Sequence, residues 1–289
     1  MRERTPSQTA LFVAAARALA NDGFTTVPGF SDPISRGLLT PAWEAFYRAV
    51  SRFGRHASPE RRARAMARLD FVATRVATID AEIAHAVGSG CRQLVILGAG
   101  LDARAFRMRG LADVAVFEVD HPATQAYKRR RIASVPVVAR SLAFVSVDFE
   151  RQRLGGALHD AGFRPDVPTV WVWEGVVMYL TDQAVRQTLE DVAACSAPGS
   201  VLVANYHVPH GPVVGLGRRA SRLLLALWRE PHIGQRPREV MHAELRRAGL
   251  EVARDTAPAE WAERLGGKPP SGLTARVSRM VVARRSATP

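Results

Sequence analysis

Cysteine is nearly missing from this sequence: Cys91 and Cys195 are the two in 289 residues. Two thiols cannot build a disulfide framework, and no Cys/His spacing suits a metal site, so neither kind of stapled scaffold is expected. A reducing cytoplasm is the natural compartment for such a chain. Lysine is as scarce, occurring at Lys128 and Lys268, although Lys and Arg total 40 against 27 Asp and Glu and give a formal charge of +13. That charge raises the question of a nucleic-acid surface. Arginine this dominant, in a chain rich in Ala and Val, reads instead as compositional bias. The densest basic runs, Lys128-Arg129-Arg130-Arg131 and Arg61-Arg62-Ala63-Arg64, are short and read as solvated helix faces. Long apolar runs are missing too; none reaches the roughly 20 residues of a membrane span. Leu11 to Ala20 is interrupted by Arg17 and followed by Asn21-Asp22-Gly23, which fits an amphipathic helix rather than a signal peptide. The expectation is a monomer or homodimer that acts on a small molecule, with no nucleic acid, membrane or metal.

What is present is a full core, with 47% hydrophobic residues, and a change of texture near residue 90. Before it, helical segments fit 6–20, 41–52, 59–68 and 69–87, with a Gly/Pro-rich loop over 22–41. After it, short apolar runs alternate with helices. The runs are Leu94–Leu97, Val114–Phe117, Phe144–Val147, Thr169–Trp173 and Ser200–Ala204, followed by 250–254 and 276–283. Apolar strands joined by helices indicate a parallel sheet covered on both faces. The expected fold class is therefore α/β: a Rossmann-like, mostly parallel sheet of about seven strands, with helices on both faces. It has a helical cap over 1–90, a catalytic domain over 91–289 and a lid insertion at about 208–235.

Ligands of such sheets bind beyond the carboxyl ends of the strands, and the residues there are informative. The first strand runs into Leu97-Gly98-Ala99-Gly100-Leu101-Asp102-Ala103-Arg104, where Gly98 and Gly100 allow a sharp turn and a close approach to a nucleotide. The second ends in Phe117-Glu118-Val119-Asp120, with Asp120 about 20 residues past the glycines, where a carboxylate can accept from ribose hydroxyls. Asp120 at the start of a helix also suits an N-cap. The third ends in Val147-Asp148-Phe149, a carboxylate and a ring that suit adenine, or again a helix cap. The fourth ends in Trp173-Glu174-Gly175-Val176-Val177-Met178-Tyr179-Leu180; an unpaired buried glutamate would be costly, so Glu174 belongs at a pocket rim.

These four motifs, in this order and spacing across about 70–185, resemble the leucine carboxyl methyltransferase family. The family has an arginine on the helix before the first strand, which Ala73-Thr74-Arg75 matches, although Val76-Ala77-Thr78 departs from its usual aromatic or arginine-rich continuation. The resemblance implies S-adenosyl-L-methionine as cofactor and O-methylation of a small molecule, chiefly a carboxylate such as a polyketide or another secondary-metabolite acid. It assigns Arg75 to the methionine carboxylate, Gly98 and Gly100 to the cofactor backbone, and Asp120 to the ribose with Glu118 in support. It assigns Asp148 and Phe149 to adenine, Glu174 to the amino group, and Tyr179 to the acceptor. His207 is a further acceptor candidate.

A carboxylate acceptor is ionised at neutral pH and needs no base, whereas a phenol, with pKa about 10, does. Tyr206, His207 and His210 are the polar candidates for that task, and no catalytic residue is assigned. Leu223-Leu224-Leu225 and Trp228 give the lid an apolar face. The alternative is an NAD(P)-dependent Rossmann oxidoreductase, since Gly98-x-Gly100-x-x-Ala103 also fits a dinucleotide turn. Against it, Thr124 stands where a Tyr-x-x-x-Lys pair ending at Lys128 would need tyrosine. The Asn/Asp-Pro-Pro-aromatic loop of base methylation is missing after the fourth strand.

Overall fold

The computed structural model describes residues 7–209 and 234–285. The chain opens with α1 (Gln8–Asn21), α2 (Pro41–His56) and α3 (Pro59–Gly88). Ser7 caps α1 by accepting from the Ala10 amide at 3.2 Å, and Thr40 caps α2 through the Trp43 amide. The two helices expected over 59–68 and 69–87 are one continuous helix, because no Gly or Pro interrupts the junction.

The sheet follows: β1 (Gln93–Leu97), β2 (Ala115–Asp120), β3 (Ser141–Ser146), β4 (Thr169–Trp173), β5 (Val201–His207), β6 (Leu250–Thr256) and β7 (Ser278–Arg285). Their order is β3-β2-β1-β4-β5-β7-β6. The first five strands pair in parallel, and β7 runs antiparallel between β5 and β6. This is the expected seven-stranded, mostly parallel sheet with helices packed on both faces. Order reverses between β1 and β4, which places the switch point, and so the binding crevice, beyond Leu97 and Trp173.

Strand alternation sorts the core into two layers. Leu94, Ile96, Val116, Val170 and Val172 face α1 and α3, joined by Leu11, Leu19, Ile79 and Ile83. The helical start of the chain thus shares one core with the sheet. Val95, Leu97, Phe117, Trp171 and Trp173 face the other side, covered by α6 (Leu154–Asp160), α7 (Asp182–Ala194) and α8 (Arg238–Arg247). Phe163 fills that layer with its ring 5.5 Å from both Phe117 and Trp171. Burial on this scale, roughly 1.5–3 kcal/mol per large apolar side chain, is the main favourable term.

Two expectations need correction. β5 runs on to His207 rather than ending at Ala204, because β7 pairs Asn205, Tyr206 and His207 with Met280, Arg279 and Ser278. Lys128 is not on a solvated face. It is 1% exposed on α5 (Pro122–Arg131), while Arg129, Arg130 and Arg131 remain exposed. The side chains of the Arg61–Arg64 run, the lid residues Leu223 to Trp228, and His210 lie outside what is described.

Candidate active site

The turn leaving β1 is left-handed twice, with φ +67° at Gly98 and +53° at Gly100. L-side chains avoid that region, so the glycines are required by the backbone itself. Space demands glycine at Gly98 as well: a Cβ there would lie 2.3 Å from Val176 Cγ2. The turn beyond β1 and the loop beyond β4 are therefore packed together. At the tip of β2, the half-buried Asp120 carboxylate accepts from the Gly100 amide and, at 2.6 Å, from the His121 amide. Burial raises the Asp120 pKa, and these two N–H groups oppose the rise. The cap of α5 is His121, whose Nδ1 accepts from Ala123, so Asp120 serves the glycine turn and not the helix as a cap.

Beyond β4, Glu174 is held by two arginines. Arg75 Nε donates to Oε1 and Arg104 Nη2 donates to Oε2, both at 2.9 Å. Burial raises the Glu174 pKa, but Arg104 and then Arg75 outweigh it, so the carboxyl stays below its ordinary value and ionised. Arg75 is 7% exposed, lies over Phe71, and has no partner among the described residues for its two terminal nitrogens. Those nitrogens point at Gly175, within 4.0 Å of where its Cβ would stand. The result is a guanidinium with free donors next to an ionised carboxylate, set beside a glycine turn and an acidic strand tip. Such a set complements an amino-acid zwitterion at one end and a hydroxylated sugar at the other.

A leucine carboxyl methyltransferase family model matches residues 10–193, well over half of the chain. The chain belongs to the leucine carboxyl methyltransferase family. A protein of Mycolicibacterium paratuberculosis named "Putative S-adenosyl-L-methionine-dependent methyltransferase" is 38% identical over 216 residues, covering 74% of this chain and 70% of its own length. Among solved structures, a "putative methyltransferase" from Thermobifida fusca superposes with TM-score 0.58 at 15% identity, covering 99% of this chain and 97% of its own. A DUF574 family protein from Streptomyces avermitilis does so at the same TM-score and identity, covering 97% and 98%. These two share the fold. The chain is an S-adenosylmethionine-dependent methyltransferase, and the oxidoreductase alternative has no support in these comparisons.

Within the methyltransferase the remaining candidates are placed as follows. Asp148 and Phe149 follow Val147, whose amide bonds the Asp120 carbonyl at 3.1 Å, so they stand at the edge of the same crevice. Asp148 is partly exposed and accepts from the Glu150 amide at 3.1 Å; it closes a turn and does not cap α6, whose first amide, Leu154, bonds Asp191. Glu118 is 1% exposed and paired with Lys128 inside the domain, so it does not reach the crevice. Burial pushes its carboxyl up to about 7, with Lys128 opposing. Tyr179 ends the short helix Val177–Tyr179 beyond β4, and His207 is buried at the end of β5, which packs against that turn. Tyr206 is fully buried and donates to Asp255 at 2.6 Å, which raises its pKa further beyond the effect of burial and removes it as a base. Among the described residues no cluster of His, Cys, Asp and Glu suits a metal. No helix among them is long and apolar enough to cross a membrane.

Two residues of the site escaped the sequence reading. Arg104 and Asp102 lie in the quoted glycine motif, yet no role was given to them. Arg104 Nε donates to Asp80 at 2.7 Å and Nη1 pairs with Asp102. The Asp-x-Arg spacing was visible; the contact to Glu174, 70 residues away, was not.

Proposed function

We propose that this enzyme transfers the methyl group of S-adenosylmethionine to a carboxylate oxygen of a small apolar or aromatic acid. The observation that carries the cofactor part is the pairing of Arg75, with its free terminal nitrogens, against the ionised Glu174. Arg75 would hold the methionine carboxylate and Glu174 the ammonium. Asp120 would take the ribose hydroxyls while still accepting from the glycine turn. Asp148 and Phe149 would flank adenine, and Gly98 and Gly100 let the backbone come close. Glu118 would act from beneath, through the charge it shares with Lys128 behind Asp120.

The cofactor supplies an already activated methyl on sulfonium. The chain's own task is alignment and exclusion of water, and effective molarity from alignment alone is worth about 7–11 kcal/mol. A carboxylate acceptor suits this arrangement, because it arrives ionised and Tyr206, a candidate base, is committed to Asp255. Tyr179 and His207 would contact the acceptor from the β4 and β5 side. The free thiols of Cys91 and Cys195 fit action in a reducing cytoplasm.

The test is transfer of labelled methyl from S-adenosylmethionine to a panel of acids and phenols, with the products treated with alkali. Methyl esters release labelled methanol, whereas ethers hold their label. Label that survives alkali would overturn the carboxylate reading and leave the cofactor reading standing.

A further inference from the structure

The crevice is connected to the start of the chain by a buried line of alternating charge. Arg75 and Arg104 share Glu174. Arg104 also binds Asp102 and Asp80. Asp80 binds Arg107 at 2.7 Å, and Asp32 lies 3.5 Å from both Arg107 and Arg17. Arg17 then donates to the carbonyl of Leu101, back in the glycine turn. The line closes on itself, and its four arginines balance its four carboxylates. It is tight at the crevice and looser at Asp32, where Asp32 Oδ2 and the Nε atoms of Arg17 and Arg107 are buried without hydrogen bonds.

Arg104 is the junction. Its side chain is 1% exposed, and Nε, Nη1 and Nη2 reach three carboxylates from three places: α3, the glycine turn, and the loop after β4. A planar fork of fixed angles does this; a lysine ammonium is a single point and does not. We propose that Arg104 is the positioning residue of the cofactor pocket, fixing the Glu174 carboxylate and the glycine turn relative to one another. The proposal rests on the reading of Arg75, Asp120 and Glu174 as cofactor contacts, and Arg104 acts only through Glu174 and Asp102.

The charged groups that face Glu174 are Arg75 from α3, Arg104 from α4 (Arg104–Arg107) and Asp102 from the glycine turn, the last opposing its ionisation. Burial already pushes Glu174 toward protonation. Without Arg104, Arg75 alone opposes burial and Asp102, so the Glu174 pKa climbs. Below that pKa the ammonium partner is lost.

Calorimetric titration with S-adenosylhomocysteine between about pH 5 and about pH 8 reads this out directly. Glu118, pushed up to about 7, and Asp120, raised by burial, are common to wild type and variants, so each Kd is read as its ratio to the wild-type Kd at the same pH. Arg104→Gln is expected to bind about tenfold or more weakly at the upper end, the scale of one lost charge-assisted contact. It should weaken further as pH falls. Arg104→Lys, which keeps the charge but not the fork, should show an intermediate Kd whose ratio to wild type does not change with pH. Asp80→Asn loosens Arg104 without touching Glu174 and guards against misfolding of the Arg104 variants; it should weaken binding several-fold. Arg104→Gln and Asp80→Asn proteins that fold and match the wild-type Kd and pH profile would overturn the proposal. Failure of the wild type to bind would overturn the cofactor reading instead.

Discussion

Replacing Gly98 by alanine perturbs the glycine turn in two separable ways. The backbone there has φ +67°, and an L-residue in that region costs about 1–2 kcal/mol. The new methyl would also sit 2.3 Å from Val176 Cγ2 and 3.3 Å from Val176 Cβ and Cγ1. A contact that close forces movement, at an overpacking cost of about 1–3 kcal/mol. The single variant should therefore lose roughly 2–5 kcal/mol. Val176→Ala removes both Cγ atoms and leaves only the Cβ contact, which a shift of a few tenths of an ångström relieves. In the double variant the steric part should disappear and the backbone part should stay. Urea unfolding of the wild type, both singles and the double gives a cycle with an expected favourable coupling of about 1–3 kcal/mol. Strictly additive losses would show that Gly98 and Val176 are not in contact, and that the turn and the β4 loop do not meet as described.

Other outcomes follow from the same geometry. Glu174→Gln removes the charge proposed to face the cofactor ammonium and should weaken S-adenosylmethionine binding by about 1.5–3 kcal/mol, read by calorimetry at neutral pH. Asp102 is pushed up by burial but held at about 2 by Arg104, Lys128 and Arg17. A carboxyl depressed on folding stabilises above its unfolded pKa, about 3.9, and that stability is lost as pH falls through about 2. Asp102→Asn should therefore cost roughly 2 kcal/mol at neutral pH, with the gap from wild type closing below about pH 4. Glu118→Gln alone leaves the Lys128 ammonium buried without its partner, and Lys128→Met alone removes the cation that opposes protonation of the buried Glu118, whereas the double variant should lie within about 1 kcal/mol of wild type in chemical unfolding. Tyr206→Phe should cost about 1 kcal/mol of stability with methyl transfer intact, and a collapse in kcat would restore Tyr206 as a base.

The fold was legible because its signals are local. Apolar runs such as Leu94–Leu97, followed by Gly98, and Thr169–Trp173, followed by Glu174 and Gly175, mark buried parallel strands whatever surrounds them. The crevice was legible for the same reason, since Gly98 and Glu174 sit directly after such a run and Asp120 closes the strand that begins with another. What was not legible depends on partners distant in sequence. Lys128 looks like one of four solvated cations until Glu118 is seen opposite it, inside. Tyr206 looks like a loop residue until β7 extends β5 past it. Arg104 looks like the mere end of the glycine motif until α3 and the β4 loop bring Asp80 and Glu174 to it.

The central claim is that one crevice at the tips of β1, β2 and β4 holds S-adenosylmethionine through Arg75, Asp120 and Glu174. Equilibrium titration of the wild-type chain with S-adenosylmethionine, set beside NADH, tests it most directly. Saturation at one S-adenosylmethionine per chain, abolished by Arg75→Ala and Asp120→Ala with no saturable NADH binding, is the predicted result. Undiminished binding by those two variants, or saturation by NADH alone, would contradict it.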